Sequence, residues 1–223
     1  MVLALSVLYG FRTVELPAQG IGNTSQTKEN LDLPYDAIGE NSEEEDAPEV
    51  VVFYGQNLEG DGIFYCIDRS GSMQNAGELQ IAKQEVTRNI QEFSPNVEFG
   101  IVFFDAGVLK FPSSGQPMKA ETSKKLSAIS WVSGMAGGGG SAMDKGLFEA
   151  LQFISRSSAT RNVLVYVGDG GGSSNSLLAQ IKGKNQKRAQ INCVGVLELS
   201  PDNRQFLQKL ARANSGTYTE IKR

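Results

Sequence analysis

No histidine occurs among the 223 residues, and that absence removes whole classes of chemistry. Ser-His-Asp and Cys-His catalysis need an imidazole to carry a proton, and His-containing zinc sites lose their ligand. Cysteine is nearly as scarce. Cys66 and Cys193 both lie in apolar, strand-like runs, where a free thiol behaves as a small hydrophobe, so both read as core and neither fixes the compartment. Nor is positive charge concentrated. Against 25 Asp and Glu stand 21 Lys and Arg, a net charge of −4, and the basic residues are scattered. Binding a phosphate backbone needs them clustered, which excludes nucleic acid as the main partner. The apolar opening, Met1 to Tyr9, is far short of the ~20 residues of a spanning helix and lacks the basic flank of a secretory signal. It reads as a tail, and membrane attachment is expected only if it is the remnant of an anchor.

Residues 17–48 are rich in Gly, Asn, Ser, Glu and Pro and include the run Glu43-Glu44-Glu45-Asp46. Such composition cannot bury enough apolar surface to fold alone, so residues 1–48 are expected to be an irregular leader and acidic linker. Structure is expected from Glu49 onward. The β-branched and aromatic run 49–54 and the apolar run 63–67 read as two strands that pair as a hairpin across 55–62. Leu79, Ala82, Val86, Ile90 and Phe93 recur at three- and four-residue steps and predict a helix of about four turns. Residues 97–104 predict a buried strand, and 108–111 an antiparallel edge strand after Ala106-Gly107. A helix follows over roughly 122–132, with Leu126, Ile129 and Trp131 toward the core. From there the pattern alternates: helix 142–156, strand 163–167, helix 177–184, strand 191–197, helix 202–213, strand 217–221. Such alternation means a mostly parallel sheet with helices on both faces, an α/β doubly wound domain.

The stretch that organises this plan is Asp68-Arg69-Ser70-Gly71-Ser72-Met73. It follows the continuous apolar run Ile63 to Ile67, the kind of strand that is buried on both faces of a parallel sheet. Ligands of such sheets bind beyond the carboxyl ends of the strands. A carboxylate followed by alcohol oxygens two and four residues later offers only hard oxygen donors, so the cation to expect is magnesium, with manganese or calcium able to serve. Helix capping competes with this reading, since Asp and Ser are both preferred N-caps; one residue is enough for a cap, however, and three acceptors stand here within five residues.

This DxSxS stretch resembles the metal-ion-dependent adhesion site of the von Willebrand factor type A domain family, and the resemblance extends over roughly 62–223. Two further loops carry it: Gly137-Gly138-Gly139-Gly140-Ser141 before a helical run, and Val165-Tyr166-Val167-Gly168-Asp169-Gly170 after a strand. The resemblance implies a metal site of Asp68, Ser70, Ser72, Ser141 and Asp169, with Ser141 standing where the family usually has threonine. It also implies a Rossmann-like sheet with the 63–67 strand at its centre, the 97–104 and 163–167 strands beside it and the 108–111 strand at an edge. Capping explains Ser141 about as well as ligation does; for Asp169 a turn role is the alternative, and the match to the family favours ligation or a water-mediated contact. Arg69 reads either as a ligand contact or as a solvated side chain.

In the resembling family the bound ion recruits a protein partner, often through the partner's carboxylate. The expectation is therefore a non-enzymatic, metal-dependent protein-binding module for adhesion or assembly. One alternative is a scaffold whose metal is purely structural. A magnesium-dependent phosphoryl-transfer or nucleotide-binding enzyme is the other, though no GxxxxGK[ST] occurs and no nucleophile stands with a base.

Overall fold

The computed structural model describes residues 48–222. The leader and its apolar opening fall, apart from Pro48, outside the described residues. The central strand is β3 (Gly62–Asp68), buried at every residue, as its unbroken apolar sequence demands of a strand covered on both faces. Parallel to it on either side run β4 (Glu98–Phe104) and β7 (Asn162–Gly168). Beyond β7 the sheet continues in parallel through β8 (Gln190–Gly195) and β9 (Tyr218–Glu220). On the other side β5 (Val108–Phe111) pairs antiparallel with β4 and forms the edge. The short β6 (Met118–Lys119) also pairs with β4, an addition the sequence pattern did not suggest.

Strand alternation sends odd-numbered residues of β3 to one face and even-numbered ones to the other. Ile63, Tyr65 and Ile67 pack with Leu79, Val86 and Ile90 of α2 (Glu78–Glu92) and with Ala128 and Val132 of α3 (Thr122–Ser133). Phe64 and Cys66 pack with Leu147 and Ile154 of α4 (Met143–Ser155), Ile181 of α5 (Asn175–Lys184) and Leu207 and Leu210 of α6 (Pro201–Ala213). Both thiols are buried and free. Between them lies β7, so the two cysteines are two strand spacings apart, too far for a disulfide.

Three expectations are corrected. The run from Glu49 does not pair with β3: β1 (Glu49–Phe53) folds back on β2 (Gln56–Gly60) as a separate two-stranded sheet. Its turn, Tyr54-Gly55, has positive φ at both residues, 47° and 75°, which suits a two-residue hairpin loop. The alternation Gln56, Leu58, Gly60 inward and Asn57, Glu59 outward makes β2 a strand where only turn residues were expected. Val51, Phe53 and Leu58 join the first core, each worth about 1.5–3 kcal/mol when fully buried. Asn89 fastens the hairpin, donating to Val52 O at 2.7 Å while accepting from Tyr65 Oη at 2.9 Å.

The helix after Asp68 also begins earlier than expected, as the five-residue α1 (Gly71–Asn75), and is broken at Ala76-Gly77 before α2. On α3, finally, Leu126 is exposed; Ala128 and Val132 face the core, with Ile129 and Trp131 at its margin. Helices α2 and α3 are tied through their ends. Lys83 donates to Ser133 O and Met135 O past α3, and Lys125 donates to Gln91 O and Phe93 O past α2, supplying cations where helix carbonyls lack partners.

Candidate metal centre

All three loops meet at the carboxyl edge of the sheet. Asp68 is the last residue of β3 and is fully buried. Its Oδ1 accepts from the Ser70 backbone N–H at 2.7 Å, and its Oδ2 accepts from Ser141 Oγ at 3.0 Å. Ser70 Oγ lies 3.0 Å from Ser72 Oγ, and Ser72 Oγ donates to Asp169 Oδ2 at 3.3 Å. Ser141, Asp68, Ser70, Ser72 and Asp169 thus form one continuous hydrogen-bonded chain drawn from three loops.

None of these hydroxyls caps a helix. Ser70 occupies the N-cap position of α1 and Ala142 that of α4, and neither makes a side-chain cap hydrogen bond. The contrast lies on the same chain, where Ser174 and Ser200 do cap α5 and α6 by accepting from Leu177 N and Asn203 N. Nor does Asp68 cap: its acceptors go to Ser70 and Ser141. Asp169 keeps a turn role as well, since its Oδ1 accepts from Gly171 N at 2.8 Å.

Burial pushes the Asp68 carboxyl up from its ordinary range; hydrogen bonds from Ser70 oppose this, the charge of Asp169 adds to it, and the Ser141 hydrogen bond opposes it again. Two carboxylates facing one space with few counter-charges are stabilised by a cation placed between them. The donor set fits such an ion. Ser141 and Ser72 spend their protons on carboxylates, which leaves hydroxyl lone pairs for a cation. Two carboxylates and three alcohols, all hard oxygen, suit an ion that keeps several waters. Among the described residues no group of three or more His, Cys, Asp or Glu side chains able to hold a metal occurs, so softer or more anionic coordination has no base here.

The loops are held by groups outside the site. Arg69 is neither solvated nor free for a ligand: its Nη2 pairs with Asp105 Oδ2 at 2.6 Å and its Nη1 donates to Ala136 O at 2.9 Å. Asp105, just past β4, also accepts from Gly107 N. The glycine loop packs directly against this pair, with Gly138 N donating to Arg69 O and Ala142 N to Asp105 O. A Cβ on Gly138 would fall 1.7 Å from Asp105 Oδ2, so only glycine fits there. Gln74 Oε1 accepts from Gly137 N. The third loop is held from α6, where Asn203 Nδ2 donates to Asp169 O at 3.0 Å and Asn203 Oδ1 accepts from Ser173 Oγ. Gln74 and Asn203 escaped sequence reasoning. No local pattern marks them, because each acts on a loop tens of residues away.

Comparison with known proteins bears on the fold that carries these loops. Residues 63–171 match the family model described as von Willebrand factor type A domain, a span just under half of the chain that contains all five site residues. No curated protein sequence matches. Among solved structures, the chain resembles a von Willebrand factor type A protein from Catenulispora acidiphila, with 20% identity and a TM-score of 0.64 over 79% of this chain and 46% of that one. It also resembles the pilus adhesin SpaC from Lactobacillus rhamnosus GG, with 13% identity and a TM-score of 0.59 over 75% of this chain and 28% of that one. A third likeness is to proximal thread matrix protein 1 from the mussel byssus, described with a zinc-occupied MIDAS motif, at 17% identity and a TM-score of 0.54 over 78% of this chain and 45% of that one. At these identities the likeness is one of fold, and the chain spans less than half of each of these three proteins. The fold is the Rossmann-like one of type A domains, a mostly parallel sheet between helices.

Proposed function

We propose that residues 49–223 form a von Willebrand factor type A domain that binds a protein partner through a divalent cation. Ser70 and Ser72 would hold the ion through their oxygens, with Asp68, Ser141 and Asp169 contributing directly or through water. Magnesium is the first choice, and manganese or calcium would serve. When bound, the ion supplies a Lewis-acidic position for an oxygen of the partner, such as a carboxylate. The chain's own residues do the rest: they fix the hydroxyl directions, supply only two formal anions and leave coordination open to solvent. The observation that carries this reading is the hydrogen-bonded chain from Ser141 to Asp169, in which three loops bring together hydroxyls that cap nothing.

A scaffold with a purely structural ion is the weaker reading, because the loops already have protein-made braces in Arg69, Gln74 and Asn203. The neighbours named above as an adhesin and a matrix protein support a role in adhesion or assembly. The test is affinity capture from the source cell with wild type and Asp68→Ala, each in magnesium and in chelator. Partners retained by wild type in magnesium alone are expected. A mutant that keeps its circular dichroism, loses its magnesium response and still captures the same partners would refute the reading.

A further inference from the structure

Tyr166, on β7, is fully buried; the Gly170 backbone N–H faces its hydroxyl oxygen, but the hydroxyl proton has no acceptor among the described residues. A buried donor left without an acceptor costs free energy, so phenylalanine would serve as well at this position if packing were all that mattered. The ring is well accommodated. Tyr166 lies in register between Cys66 of β3 and Cys193 of β8, two small side chains that leave it room, and it stacks on Phe104 with ring centroids 6.0 Å apart. Its polar end points to the carboxyl edge of the sheet. Two residues further on, Gly168 shares the face of Tyr166. A Cβ on Gly168 would meet Tyr166 Oη at 2.5 Å and Asp68 Cβ at 2.9 Å. The hydroxyl and the base of the Asp68 side chain therefore crowd the same space, and a glycine at 168 is what admits both.

We propose that Tyr166 is a positioning residue of the metal centre, its Oη–H donating to the Asp68 carboxylate from below across one water, and so holding that carboxylate toward the cation. This rests on the metal-site reading above. Asp68 Oδ1 accepts from Ser70 N–H and Oδ2 from Ser141 Oγ, and each carboxylate oxygen has a further lone pair to offer. A third donor from beneath the strand end restricts rotation of the carboxylate. The hydroxyl proton, otherwise without an acceptor, then has a use. Losing a group that orients a metal ligand typically weakens metal affinity 10–100-fold; a single neutral donor belongs at the lower end, about tenfold.

The test compares full-length wild type with Tyr166→Phe and Phe104→Leu. Magnesium titration is followed by melting temperature, and manganese titration by loss of the free-ion electron paramagnetic resonance signal. Tyr166→Phe keeps the ring and its packing, so it is expected to melt in chelator within a few degrees of wild type, and to bind both ions about tenfold more weakly. Phe104→Leu perturbs the same core without touching the hydroxyl and is expected to bind them as wild type does. Equal ion affinities for wild type and Tyr166→Phe, whatever the change in melting temperature, overturn the proposal and leave the metal site standing. So does an equal weakening in Phe104→Leu, which would trace the effect to a softened core. A wild type that binds neither ion overturns the metal-site reading and this proposal with it.

Discussion

Arg69 and Asp105 should be coupled far more strongly than a surface ion pair, because their contact joins the loop after β3 to the glycine loop and both side chains are largely shielded from water. The Nη2 to Oδ2 distance is 2.6 Å, and the two side chains are only 18% and 12% exposed. At an effective dielectric of about 20, charges roughly 4 Å apart attract by about 4 kcal/mol. Desolvation and the ordering of a long side chain take back part of that, so a net coupling of about 1.5–2.5 kcal/mol is expected, between the ~0–1 of exposed pairs and the ~3–5 lost when a buried pair is broken. Arg69→Ala is the harsher single change. It leaves the Asp105 carboxylate nearly buried with the Gly107 backbone N–H as its one remaining donor among the described residues, and it also frees Ala136 O. A loss of about 2–4 kcal/mol follows, which at roughly 2–4 °C per kcal/mol for a domain of this size lowers the melting temperature by about 4–16 °C. Asp105→Asn keeps the shape and should cost less. The double mutant should be more stable than the sum of the singles implies. Urea denaturation of all four proteins in chelator measures the coupling without any contribution from metal. A coupling under about 0.5 kcal/mol would be that of independent sites and would refute the argument.

Two further outcomes are expected. In chelator, Asp68→Ala should lie within about 1 kcal/mol of wild type: Asp68 has its folded pKa raised, so it adds stability only at low pH and loses it as pH rises through that value, and its removal offsets the lost acceptor for Ser70 and Ser141. Saturating magnesium at about a hundredfold over its dissociation constant should then stabilise wild type by about 2.7 kcal/mol and the mutant by nothing, and equal shifts in thermal melts would count against the site. At the far edge of the sheet, Arg204 holds the Glu220 carboxyl down to about 2 through hydrogen bonds at 2.7 Å from both Nε and Nη2. A carboxylate with a depressed folded pKa contributes stability that is present above its unfolded value of 4.5 and is lost as pH falls toward 2. Urea melts between pH 5 and pH 2 should therefore lose stability less steeply in Glu220→Gln than in wild type, and identical slopes would refute the linkage.

Much of the fold was legible because its signals are local. Each buried parallel strand is a short unbroken apolar run, and α2 and α6 show a clear apolar stripe. Those signals depend only on which residues must leave water. What escaped them depended on partners distant in sequence or on special backbone geometry. β2 was hidden because Gln56, Asn57, Glu59 and Gly60 look like turn residues, and only the φ > 0 pair at Tyr54-Gly55 and the burial of Leu58 make them a strand. Leu126 was misplaced because α3 has a weak stripe; its small residues, Ala128 among them, take the tight contacts against α2 while a leucine is left to solvent.

The candidate metal centre separates the two kinds of information further. Residue types and spacing placed Asp68, Ser70 and Ser72 at a strand end, and the resemblance supplied Ser141 and Asp169. Whether those serines are caps was undecidable from spacing, because a cap and a ligand use the same oxygen at the same helix start. The difference lies in where Oγ points, and that is set by groups with no local signature. Ser141 turns to Asp68 across 73 positions and Ser72 to Asp169 across 97. Both rotations depend on loops that Arg69, Asp105 and Asn203 hold from elsewhere. A single serine is a satisfactory cap almost anywhere a helix begins; two that decline the nearby N–H groups in favour of distant carboxylates require those carboxylates to be fixed first. The Arg69–Asp105 pair and the Asn203 contact are therefore as much a part of the site's specification as the DxSxS stretch itself.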